Sequence, residues 1–145
     1  MKLMAVVLGV CSAFAMSAWA QQPPQSAEKP SDGKVFEMRT YYALPGRLDA
    51  LHARFRDHTT RLFEKHGMVN IGYWVPVDEK TGAPKSETLV YILAYPSLEA
   101  RQKSWDAFRN DPEWKRVQSE SEKSGKIVDK VESVFLKATD YSAIK

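Results

Sequence analysis

Thr88-Leu89-Val90-Tyr91-Ile92-Leu93-Ala94-Tyr95 is the stretch from which the rest of the chain can be read. It is rich in aromatic and β-branched residues and too short for a core helix, so it reads as a strand. Alternation puts Leu89, Tyr91, Leu93 and Tyr95 on one face and Val90, Ile92 and Ala94 on the other. Both faces are apolar, so both require burial, as in a central strand covered on two sides.

Working outward, Val35 to Tyr42 is a second strand, bounded by Gly33 and Pro45-Gly46. It carries Phe36, Met38, Thr40 and Tyr42 on one face and Val35, Glu37, Arg39 and Tyr41 on the other. From about Gly46 to His66, Leu48, Leu51, Phe55, Leu62 and His66 recur at helical spacing, and Gly67 is a natural stop. Val69 to Val77 reads as a strand, and Asp78 to Ser86 as an exposed loop with Gly82 and Pro84. Ser97 suits a helix N-cap, and that helix ends near Asn110. Asp111-Pro112-Glu113-Trp114 starts another: the carboxylate accepts from free amides, proline suits the first helical position, and Glu113 favours the positive helix end. Ile127 to Lys137 is the last strand.

The order β-α-β-β-α-α-β predicts an α+β, ferredoxin-like fold: an antiparallel four-stranded sheet with helices on one face and the second helix broken in two. Helices on one side leave the other apolar face bare, which a soluble protein rarely tolerates over several hundred Å². A second copy packed sheet against sheet hides it, so a homodimer of the dimeric α/β-barrel type is expected.

The 145 residues fit one domain, and 21 Lys+Arg against 18 Asp+Glu give a formal charge of +3. With 43% hydrophobic and 27% charged residues, the chain is not wholly disordered, collagen-like or a coiled coil. Near-balanced charge without a Lys/Arg block argues against a nucleic-acid partner. Lys2, the apolar run Leu3 to Met16 and Ala18-Trp19-Ala20 form the layout of a secretory signal peptide, with cleavage before Gln21. The lone cysteine, Cys11, falls inside it, preceded by the bulky Val10 where a lipoprotein signal would be. The mature chain then has no thiol and no transmembrane segment, and a periplasmic or secreted location follows. Residues 1–20 are thus read as the signal peptide, 21–33 as a proline-containing flexible linker, 34–141 as the domain and 142–145 as a tail.

Phe36-Glu37-Met38-Arg39-Thr40-Tyr41, Pro45-Gly46, Gly67, Gly72-Tyr73-Trp74, Tyr95, Arg101 and Asp111-Pro112-Glu113-Trp114 resemble, in order and spacing, the NIPSNAP family over about residues 35 to 141. The resemblance implies a ferredoxin-like fold of the dimeric α/β-barrel type, in agreement with the strand argument. Its animal members are mitochondrial, whereas this chain carries an export signal, so their partner-binding roles do not transfer. The wider superfamily holds cofactor-independent monooxygenases, haem-degrading enzymes and isomerases, an analogy of fold alone.

The chemistry-bearing residues leave catalysis open. His52, His58 and His66 share the first helix at about 40°, 280° and 0° from Leu48. His52 and His66 are about 21 Å apart along a helix, so they cannot share a metal, and no H-x-x-x-H pair, P-loop or GxGxxG occurs; no metal and no cofactor is expected. Haem would need one of these histidines as its axial ligand. Glu37 and Arg39 are read either as a structural ion pair or as an acid–base and anion-clamp couple; were the bare face theirs, they would lie at the subunit junction. Candidate catalytic residues are therefore His58, Arg39 and Glu37. Trp74, Tyr91, His52 and Trp105 are the candidate ligand pocket, with core packing as the plainer reading. Trp74 alternates with Gly72 and Pro76, which leaves room for a ligand or a close helix. Arg47, Arg54 and Arg61, spaced by seven, read as a solvated flank. Two functions compete: a dimeric small-molecule-binding or interaction protein, and a cofactor-independent monooxygenase or isomerase acting on a small substrate such as an aromatic one.

Overall fold

A computed structural model describes residues 33–145; the signal peptide and nearly all of the linker read from the sequence lie outside the described residues. Within them, four strands form one antiparallel sheet: β1 (Val35–Ala43), β2 (Val69–Trp74), β3 (Thr88–Tyr95) and β4 (Val128–Lys137), in the order β2-β3-β1-β4. This is the ferredoxin-like order. The helical layer comprises α1 (Leu48–Arg54), a π-helical turn (Phe55–Thr59), α2 (Thr60–Lys65), α3 (Leu98–Asn110) and α4 (Pro112–Ser121).

The register decides what each face carries. Glu37 pairs with Leu93, Arg39 with Tyr91 and Tyr41 with Leu89, so β1's charged face lies under the helices with the larger side chains of β3. Glu37 and Arg39 are therefore not on the bare face, as the subunit-junction reading required. Tyr91, Tyr95, Leu93, Leu51, Leu62, Phe63, Met68 and Ile127 form the fully buried centre of this layer. Phe63 and Tyr73 stack on the Tyr91 ring at centroid distances of 5.9 and 5.5 Å, and aromatic contact continues from Phe63 to Trp105 and Phe108.

The opposite face has no helix. Met38, Val90 and Ile92 are half-buried there, and Val69, Trp74, Val134 and Leu136 are exposed. Gly72 explains how Trp74 lies: a Cβ on Gly72 would stand 2.6 Å from the indole, so the ring folds flat along its own strand over the glycine. The space beside Gly72 is filled by Trp74 itself rather than by a ligand or a helix.

The first helical run is interrupted. Thr60 N–H bonds back five residues to the Phe55 carbonyl, and the Thr59 hydroxyl donates to the Arg54 carbonyl at 3.1 Å. Such a widened turn inserts about one residue into the helical repeat. Angles counted at a uniform 100° per residue therefore no longer hold beyond it, and His66 leaves the apolar stripe to meet Asp111, with Nε2 2.7 Å from Oδ2. Asp111 is a junction: it accepts from Lys65 Nζ at 2.8 Å and caps α4 through the Glu113 amide at 2.8 Å. Those partners hold its carboxyl far below the usual carboxylate range. Replacing it, D111A, should cost about 1–2 kcal/mol in urea unfolding at neutral pH, the usual loss for an N-cap, with the native spectrum retained.

Candidate functional site

Among the described residues, Glu37 is the one carboxylate at 0% exposure, and it lies beneath the helices. It comes from β1, and its partners come from every element around it. Arg101 on α3 grips it with Nε and Nη2 at 3.0 and 2.7 Å. Arg39 donates Nη1 at 2.7 Å, Ser133 of β4 its hydroxyl at 2.5 Å, and Tyr95 of β3 its hydroxyl at 3.1 Å. The Trp105 indole N–H is shared between the Tyr95 oxygen at 2.9 Å and Glu37 at 3.2 Å. Burial pushes this carboxyl up, but the bonds from Arg101, Ser133 and Arg39 outweigh burial and hold it down to about 2.

Arg39 is fixed as tightly. Its Nε donates to the Tyr91 hydroxyl at 3.0 Å, and its guanidinium lies 4.4 Å from the Trp105 ring. Burial lowers its proton affinity, but Tyr91, Tyr41 and Glu37 raise it further, so it stays charged. A carboxylate that holds its proton so weakly and already accepts six hydrogen bonds is a poor general base near neutral pH. The arrangement is that of a structural network, with Arg101 as a third member.

The other candidates do not gather here. Tyr91 and Trp105 are buried in this network. Trp74 and His52 line a groove of about 390 Å³ at the β2 edge, together with Arg56, Tyr73 and Leu89. His58 lies on the far side of the first helical run, in a groove with Ala50, Arg54, Asp57 and Glu120. The candidate pocket of Trp74, Tyr91, His52 and Trp105 is thus split between two places, and His58 belongs to neither, because the sheet and the first helical run separate them. Among the described residues, no three His, Cys, Asp or Glu side chains come close enough to hold a metal ion.

Another space is better built to hold a molecule. Between the first helical run, α4 and the β1–β4 side of the sheet lies a cleft of about 230 Å³. Tyr41, Phe55, Phe63, Phe108 and Trp114 supply its aromatic lining, and Gln118, Glu122 and Lys126 its polar side. The π-helical turn delivers Phe55 and Thr59 to this lining, next to Arg54. π-Helical turns of this kind recur at functional sites.

Arg54 is the residue the sequence pattern misplaces. Spaced by seven from Arg47 and Arg61, it reads as solvated, yet it is only 5% exposed. Nη1 reaches Glu122 at 3.1 Å and Ser121 at 3.5 Å, and Nε is buried without a partner. Its guanidinium stands 5.6 Å from the Trp114 ring. Only the docking of α4 reveals this; the seven-residue spacing fits Arg61, which pairs at the surface with Glu113.

The Glu37 network fixes a prediction. E37Q leaves two half-buried guanidiniums facing a neutral amide, and should destabilise the fold by about 3–5 kcal/mol, the usual cost of breaking a buried pair. The folded-state proton affinity of Glu37 is depressed, so its contribution is complete above its ordinary value of 4.5 and is lost as pH falls toward 2. Unfolding curves across that range should show a steep acid limb in the parent protein, and a shallower one in E37Q.

Comparison with known proteins agrees with this architecture. The NIPSNAP family profile matches residues 36–143. A NIPSNAP family protein of unknown function from Agrobacterium tumefaciens superposes with a TM-score of 0.64 at 21% identity, covering 78% of this chain and 95% of that one. A second from the same organism gives 0.65 at 19%, covering 77% and 99%. An uncharacterised NIPSNAP-like domain protein from Burkholderia xenovorans gives 0.63 at 17%, covering 75% and 88%. No curated protein matches the chain. At these identities the solved structures speak for the fold alone, while the family profile spans most of the chain: this protein belongs to the NIPSNAP family.

Proposed function

We propose that this protein is an exported homodimer, packed sheet against sheet, in which each subunit binds a small, largely apolar molecule between its sheet and its helices. The observation that carries this reading is the contrast between the two faces of the sheet. One is covered by helices over β1, β2 and β3, with an aromatic cleft toward β4, and the other has no helix over Met38, Val90, Ile92, Trp74 and Val134.

The size of the bare face supports a second copy. Four strands spaced about 4.8 Å and about eight residues long present roughly 500 Å², so a pair buries on the order of 1,000 Å², near the lower bound for a specific interface. Trp74, half exposed and held flat over Gly72, has the character of an interface anchor. On the same face a hollow of about 330 Å³ opens between Phe36, Ile71, Ile92 and Leu136 and the tail residues Ser142 and Ile144, wide enough to receive an apolar side chain. Export rests on Lys2, the apolar run to Met16 and the Ala18-Trp19-Ala20 cleavage pattern.

Binding is favoured over catalysis because the buried carboxylate Glu37 is spent on Arg39 and Arg101. The monooxygenase or isomerase alternative asks for a proton acceptor at an enclosed cavity. Glu37 is too weak a base, and His66 is engaged by Asp111. His52 meets the request only in the open groove beside Trp74.

At micromolar concentration the purified protein should elute from a sizing column at twice the subunit mass. W74E and V134K should convert it to a folded monomer, since both side chains are already exposed in a single subunit. A monomeric parent protein would refute the assembly. In a periplasmic or secreted fraction the chain should begin at Gln21; an intact Met1 there would refute cleavage.

A further inference from the structure

We propose that the cleft between sheet and helices is selective for a small aromatic carboxylate, with Arg54 as its counter-ion. This rests on the reading of the protein as a small-molecule binder and goes beyond it by naming the chemical class and the residue that selects it.

Three features converge on this. The first is size and lining. About 230 Å³ bounded by Phe55, Phe63, Phe108 and Trp114 has room for one ring with a short substituent, and edge and face contacts to hold it. The second is the charge of the polar side. Lys126 is matched by Asp129 at 4.0 Å, and Arg54 meets Glu122 through one nitrogen, so Arg54 is the cation that lines the cleft with donors to spare. The third is the state of Arg54. A guanidinium has five donors in a planar fork, and buried donors are nearly always paired. Here, among the described residues, Nη1 alone has partners, at 3.1 Å to Glu122 and 3.5 Å to Ser121, while Nε is buried and unpaired. A carboxylate is the acceptor whose two oxygens match that fork.

The geometry also explains why Arg54 is not simply neutralised by the protein. Glu122 sits at the C-cap of α4 and is only half-buried, and it reaches one nitrogen of the guanidinium rather than two. The contrast with Glu37 is direct: there Arg101 binds a protein carboxylate through two nitrogens at 3.0 and 2.7 Å. Arg101 grips a protein carboxylate through two nitrogens, and the buried Arg54 through one. Arg54 also stands beside the widened turn, whose hydroxyl donor Thr59 bonds the Arg54 carbonyl and fixes the backbone from which the guanidinium reaches.

The experiment is calorimetric titration of the full chain with phenylacetate and with its neutral isostere phenylacetamide. The acid should bind about tenfold more tightly, the usual scale for one charge-assisted pair. R54Q should erase that preference, bringing the acid's affinity down to that of the amide. Because Arg54 also ties α4 through Glu122, E122Q gives an independent test that spares the arginine: by removing its competing carboxylate, it should tighten phenylacetate several-fold relative to phenylacetamide. Equal affinity for acid and amide in the parent protein overturns the proposal but leaves the binding reading intact. No heat from either compound, with no thermal stabilisation by either, overturns both. A preference for the acid that survives R54Q, or one that E122Q weakens, overturns the assignment to Arg54.

Discussion

A single carboxylate organises this subunit. Glu37 lies in the middle of the sheet, under the helices, at a depth where an unpaired charge would cost several kcal/mol. It is tolerated because all four surrounding elements send it donors: Arg39 from its own strand, Tyr95 from β3, Ser133 from β4 and Arg101 with Trp105 from α3. These bonds can all be made only if β1 pairs with β3 and β4 in the observed register and α3 crosses at the observed height. A slip of one residue in β1 would turn Glu37 and Arg39 together to the bare face and leave an apolar side chain beneath Arg101. The network therefore specifies the arrangement as much as it stabilises it.

Fixing that register also sorts the remaining side chains by function. The face with the charges receives the helices, and its aromatic residues close into a continuous stack from Tyr73 through Tyr91 and Phe63 to Phe108. Where α4 meets the first helical run, the cleft opens beside Arg54. The other face, free of charge at its centre, carries Met38, Val90 and Ile92. Under the proposed function, binding within a subunit and association between subunits use opposite sides of one sheet.

Much of the fold was legible in the residues. The two-sided apolar character of Thr88–Tyr95, the Ser97 and Asp111 caps and the glycine after His66 placed the strands and helices close to where they lie. These signals are local: alternation, capping and turn chemistry act within a few residues. The candidate site was legible only in part. Glu37 and Arg39 stood out as charges on a central strand, but the helix that completes their pairing is 64 positions from Glu37, at Arg101. Trp74 and Trp105 looked alike as aromatic residues, yet one lies on the bare face and the other beneath α3.

Arg54 marks the boundary most sharply. Its spacing from Arg47 and Arg61 is a surface pattern on any regular helix, and only a widened turn together with the docking of α4 makes it a buried cation. The sequence by itself determined the order of elements, the two apolar faces of the central strand and the family motifs, because those follow from periodicity and local bonding. Tertiary structure alone decided which face the helices cover, which arginine grips a carboxylate through two nitrogens and which through one. Those outcomes depend on contacts between segments far apart in the chain, where burial and charge pairing are settled by geometry that no local pattern encodes.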